Sequence, residues 1–279
     1  MGKKQKWPGI CPIHIIMTFI LSAIILLALI MIMGPSEKHT TTEKSIEVGG
    51  NLMNFRITTG NETTILFESG QGADSTQWTL IQDRLANTTN YTMISYDRAG
   101  FGKSGMATGE YSIRQEIVML ESGLRQLGVK GEVVYVAHSY GGFLAQAYAA
   151  DNPAKVKALV LADPNTVCFN EEGGFSTLWK APPYPNASAA NQRVLLAYPQ
   201  TVREMNAMPP YPKNIPIIVI SSGEPPVGDM TNLWRDCHQK IIEGNPQGEF
   251  WLAVENTHNI PGENPALVVA AIKKAASGR

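Results

Sequence analysis

Short apolar runs alternate with stretches of helical apolar spacing along most of this chain. Leu52–Ile57, Thr64–Glu68, Tyr91–Ser95, Glu132–Val136, Ala158–Ala162, Ile217–Ile220 and Glu249–Val254 read as strands. Between them, Trp78, Ile81 and Leu85 recur at helical spacing within Ser75 to Asn87. So do Ile113, Ile117, Leu120, Leu124 and Leu127, ahead of the stop signal Gly128. Further helices are expected up to Asp151, near Thr231–Ile242, and from Pro265 to Ala276. Leu52–Ile57 fits an antiparallel strand. Strands alternating with helices imply a mostly parallel sheet covered on both faces.

Two segments break this rhythm. Residues 165–214 carry Pro182, Pro183, Pro185, Pro199, Pro209, Pro210 and Pro212, with room for one or two helices between Ala189 and Met205. This insert is expected to cap the site. The second break is Ile13–Met33, a run without a formal charge. As a helix it would be about 31 Å long, close to the thickness of a bilayer's hydrocarbon core. Lys3, Lys4 and Lys6 precede it, which favours a cytoplasmic N-terminus. The run is longer than a signal-peptide core and ends without an A-x-A-like site, so an uncleaved anchor is expected. The expected order is a cytoplasmic tail (1–12), a single transmembrane helix (13–33), a polar linker (34–44) and one α/β domain (45–279) on the non-cytoplasmic side.

Composition narrows the function classes. The chain has 279 residues and a formal net charge of −1; 44% are hydrophobic and 17% charged. There is no clustered basic stripe of the kind nucleic acid selects. No ligand cluster with metal spacing appears, and no cofactor is expected. Cys168 and Cys237 would share the non-cytoplasmic side, where a disulfide and two free thiols are equally compatible with the sequence.

The chemistry concentrates around Ala137-His138-Ser139-Tyr140-Gly141, between a strand and a helix. A serine at such a turn is the nucleophile-elbow arrangement: the turn is strained, and small flanking residues leave room for it. An activated serine needs a base and a carboxylate that orients the base. His258 directly follows the last strand, where open α/β sheets build their sites. His138 is expected to point elsewhere, and His238 lies inside a helix. The acid stays open among Asp163, Glu224 and Asp229, all near strand ends ahead of His258; Asp163 is placed first because it needs no loop assumption. An oxyanion hole would draw one N–H from Tyr140 and another from the loop Ser69-Gly70-Gln71-Gly72.

With these motifs in order, the chain from about Ser45 to Ala276 resembles the α/β-hydrolase fold family. Glu68-Ser69-Gly70-Gln71-Gly72 resembles the family's oxyanion loop, with Ser69 where many members have His. Asp97-Arg98-Ala99-Gly100-Phe101-Gly102-Lys103-Ser104 resembles its D-x-x-G-x-G-x-S segment, taken as a structural loop. The resemblance implies an eight-stranded, mostly parallel sheet, a small helical cap, and Gln71 as the second oxyanion donor. It implies acyl transfer on Ser139 with His258 as base, acting on a small-molecule ester or, less favoured, an amide. Gly70 and Trp179 are expected to touch substrate. Two alternatives stand beside this. One is a non-catalytic protein binding a ligand or partner under its cap. The other is an aminopeptidase-like enzyme using Glu171 and Glu172 to hold a substrate amine.

Overall fold

The computed structural model describes residues 39–278. The expected spanning segment 13–33, the tail before it and the first part of the linker lie outside the described residues. Among the described residues, no helix is long and apolar enough to cross a membrane.

Eight strands form one sheet in the order β1-β2-β4-β3-β5-β6-β7-β8. They are β1 (Thr41–Val48), β2 (Asn51–Thr58), β3 (Thr64–Glu68), β4 (Thr92–Tyr96), β5 (Val133–His138), β6 (Val156–Ala162), β7 (Ile217–Glu224) and β8 (Gly248–Thr257). β2 runs antiparallel to both β1 and β4; the other pairings are parallel. Side chains alternate between two apolar layers. Leu66, Tyr135, Ala137, Leu159 and Leu161 face the layer holding Ile117, Leu120, Phe143 and Leu144. Ile65, Phe67, Val134, Val136 and Val160 face the layer holding Trp78, Ile81, Val268 and Ile272. Both faces are dry, so these strands read as continuous apolar runs.

The segment expected to be linker through residue 44 enters the sheet at Thr41. β1 is an edge strand whose residues from Thr41 to Ser45 are exposed, so selection for burial leaves no alternation to read. The hairpin turn Gly49-Gly50 has φ of 59° and 81°, a left-handed pair that glycine adopts without strain.

The cap contains one long helix, Ala189–Asn206, which runs through Pro199. Proline has no N–H to offer the carbonyl four residues earlier, Leu195. The Trp179 indole N–H donates to that oxygen at 2.8 Å instead. A Cys168–Cys237 disulfide ties the start of the cap to the helix Thr231–Ile242.

Candidate active site

Ser139 occupies the turn between β5 and the helix Gly141–Asp151 at φ 55°, one of two non-glycine residues with positive φ among those described. The turn is held by bonds from its own backbone: Ser139 N–H donates to Ala162 O at 3.1 Å, and Ser139 O accepts from Gly142 N and Asn165 N, each at 2.8 Å. A side chain at Gly141 would bring a Cβ to 2.8 Å from Glu68 Cγ, and one at Gly142 to 2.6 Å from Pro164 Cβ. Glycine at both positions lets the elbow pack directly onto the strand ends beside it.

His258 sits directly after β8. Its Nε2 lies 2.7 Å from Ser139 Oγ and its Nδ1 lies 2.6 Å from Asp163 Oδ2. An ionised Asp163 can only accept, so Nδ1 carries the proton and Nε2 is left to accept from the serine hydroxyl. Asp163 follows β6 at φ 47°, fully buried. Its Oδ1 accepts from Ser222 N at 2.8 Å and Trp234 Nε1 at 2.9 Å; its Oδ2 also accepts from Ser222 Oγ at 2.8 Å. Burial alone would raise the carboxyl's pKa, but the His258 bond and the other donors bring it down to about 2. The other two candidate acids are exposed and take no part: Glu224 is the last residue of β7 and Asp229 lies in the turn Gly228–Met230.

His138 does not point away from the site. Its ring centroid lies 4.8 Å from that of His258. His138 Nε2 donates to His258 O at 2.8 Å, Gln77 Nε2 donates to His138 Nδ1 at 2.7 Å, and Gly70 N donates to Gln77 Oε1 at 2.9 Å. Burial, and next the nearby His258, push the His138 pKa down to about 4, so the ring is neutral and keeps this donor–acceptor order. The chain of bonds connects the loop after β3 to the loop that carries the base. Sequence reasoning missed both links. For His138 the adjacency to Ser139 was a usable signal; Gln77, 61 residues away from it in the sequence, offered none.

The loop after β3 lies against the nucleophile: a Cβ on Gly70 would come within 3.3 Å of Ser139 Cβ. Among the described residues, neither the Gln71 nor the Tyr140 backbone N–H is engaged by another group. The Gln71 side chain donates to Asn191 Oδ1 of the cap helix at 3.2 Å. Trp179 lies within the cap segment. Its ring packs at a tilt on Phe175, with centroids 5.4 Å apart, and its indole N–H donates to Leu195 O. Glu171 and Glu172 are engaged at the surface by Asn206 and Lys240. Cavities of about 240 to 430 Å³ elsewhere in the domain share no lining residue with the triad. The triad itself is reachable, since the His258 side chain keeps 28% exposure.

Residues 63–215 match the sequence profile described as the alpha/beta hydrolase fold. The chain is 27% identical over 241 residues to the uncharacterised protein YqjL of Bacillus subtilis, covering 84% of this chain and 92% of that one. It is 31% identical over 108 residues to a (lyso)-N-acylphosphatidylethanolamine lipase of Bos taurus, covering 37% of this chain and only 31% of that enzyme. Among solved structures, a serine hydrolase involved in carbazole degradation superposes with a TM-score of 0.65 at 21% identity, over 86% of this chain and all of that one.

Proposed function

The chain belongs to the α/β-hydrolase fold family, and we propose that it is a membrane-anchored serine hydrolase that cleaves a carboxylic ester through an acyl-enzyme. The observation that carries this reading is the continuous line Ser139 Oγ, His258 Nε2, His258 Nδ1, Asp163 Oδ2, with both bonds at 2.6–2.7 Å. As Ser139 attacks the ester carbonyl, its proton passes to His258 Nε2, and Asp163 stabilises the imidazolium that results. The Gln71 and Tyr140 N–H groups receive the negative oxygen of the tetrahedral intermediate; each such donor contributes about 3 kcal/mol to transition-state binding. His258 returns the proton to the leaving alcohol. A water, deprotonated by the same histidine, then releases the acid and restores Ser139.

The names borne by relatives lean the same way: one is a lipase, another a serine hydrolase. Anchoring rests on the uncharged run 13–33. The Cys168–Cys237 disulfide supports an oxidising, non-cytoplasmic location for the domain. The test is hydrolysis of p-nitrophenyl esters of graded acyl length by the full chain in detergent. Wild type is expected to turn over at least one of them, and Ser139→Ala to lose roughly 10⁴-fold or more in kcat. A wild type that hydrolyses none, or a Ser139→Ala variant that keeps its rate, contradicts the reading.

A further inference from the structure

One buried cation touches both halves of the oxyanion site. Arg98 follows β4 in the segment Asp97–Ser104, and its side chain is only 2% exposed. Its Nη1 donates to Glu68 Oε1 at 2.5 Å and to Ser69 O at 2.6 Å; its Nη2 donates to Gly70 O at 2.6 Å. The guanidinium carbon also lies 5.9 Å from the centroid of the Tyr140 ring and 5.3 Å from that of Phe101. Burial works against the charge, and the Glu68 carboxylate together with Tyr111 and Tyr96 outweighs it.

We propose that Arg98 is the positioning residue of the oxyanion hole: it fixes the direction of the Gln71 N–H by holding the Gly70 carbonyl, and it seats Tyr140 from the other side. The proposal rests on the assignment of Gln71 and Tyr140 as donors. Gly70 C=O and Gln71 N–H belong to one planar trans peptide and point in opposite directions. With the oxygen locked onto Arg98 in the interior, the N–H is forced to the opposite side of the loop. A planar fork with fixed donor directions can hold two successive carbonyls at once, whereas an ammonium is a point charge that cannot match both. The positive charge on the carbonyl also polarises the peptide and strengthens the same N–H as a donor. Glycine is needed at position 70 for this approach, since a Cβ there would lie 2.8 Å from His138 Nδ1. The Tyr140 ring is fixed at its far end as well, donating its hydroxyl to Tyr111 Oη at 3.0 Å.

The experiment compares wild type, Arg98→Lys and Ile272→Ala as full chains in detergent. Ile272 is buried in the last helix, apart from the site, and reports what destabilisation alone does. Three quantities are read: kcat and KM on a p-nitrophenyl ester, the rate of phosphonylation by a fluorophosphonate, and amide exchange over residues 66–74. Arg98→Lys is expected to lower kcat and the phosphonylation rate together by roughly 10- to 100-fold, with KM within about threefold of wild type. Exchange over 66–74 should rise by roughly tenfold. Ile272→Ala should leave all three near wild type once folded protein is counted. An Arg98→Lys protein within about threefold of wild type in kcat and unchanged in exchange overturns the proposal; so does a kcat loss matched by Ile272→Ala. If Arg98→Lys does not melt cooperatively, Arg98→Met combined with Glu68→Gln removes both charges together, and the same expectations apply to it. A wild type without esterase activity defeats the functional reading separately, and the exchange arm then decides the role of Arg98 alone.

Discussion

A carboxylate buried to zero exposure at a left-handed backbone position persists at residue 163 because its two oxygens receive bonds from Ser222, Trp234 and the base His258. Replacing it with the isosteric amide keeps the packing but offers His258 Nδ1 the wrong partner. Asp163→Asn should therefore lower kcat by about 10³- to 10⁴-fold, while Glu224→Gln and Asp229→Asn stay within about threefold of wild type, in steady-state ester hydrolysis. Acid stability follows from the buried ionisable groups. Asp163 titrates at about 2 rather than 3.8, so its contribution is present above about pH 4 and is lost as pH falls through 2. His138 titrates at about 4 rather than 6.5, and burial also lowers His238. The unfolded chain takes up those protons first, so His138 withdraws on the order of 3 kcal/mol of stability as pH drops from 6.5 to 4, while burial raises Glu116 to about 7 and lifts Glu68, which works in the opposite direction. Urea unfolding of wild type and His138→Gln at a series of pH values isolates the histidine: wild type should lose stability relative to the variant as pH drops from 6.5 to 4, and an unchanging difference contradicts the assignment. Ser139 and His258 were legible in the sequence because each sits at a strand end with a distinctive neighbourhood. The acid was not, because three carboxylates met the same description and only tertiary donors separate them.

At the scale of elements, the apolar strands announced themselves because both their faces are dry. β1 did not, because an exposed edge strand is selected for polarity, and only the Gly49-Gly50 turn hinted at it. The cap helix shows how a local rule is overridden by a distant residue. Pro199 leaves Leu195 O without its helical donor, and Trp179 supplies one from outside the helix. Trp179, expected from the sequence to touch substrate, also satisfies this carbonyl, a role that its position in the sequence did not show. Trp179→Phe should cost about 1–2 kcal/mol of stability with kcat changed little. In a Pro199→Ala background residue 199 gains an N–H for Leu195 O, so the same substitution should cost measurably less. A double-mutant cycle in urea checks this, and additive costs would contradict the explanation.

At the scale of the molecule, the disulfide closes a loop between positions 69 residues apart and holds the helix that brings Trp234 to the acid. A cross-link of that span contributes about 4 kcal/mol when it restricts the unfolded chain. Reduction should lower the urea midpoint accordingly, and an unchanged midpoint would show that the bond constrains nothing. The expected anchor is tested by fractionation: the full chain should stay with membranes through an alkaline carbonate wash, and a chain starting at His39 should not. Seven of the eight strands, with the helices and the insert between them, were legible from the apolar pattern because their order follows from where burial is demanded; the count of eight came from the family resemblance. The coupling of the oxyanion loop to the base loop through Gln77 and His138 was not, because it joins residues that only the folded sheet brings together. The most direct test of the whole account is the site of covalent modification by a fluorophosphonate, mapped by peptide mass spectrometry on folded full-length protein. The account predicts a single stoichiometric adduct on Ser139 that is absent from both Ser139→Ala and His258→Ala. An unmodified Ser139 in protein with a cooperative melt, or an adduct that persists undiminished without His258, would contradict it.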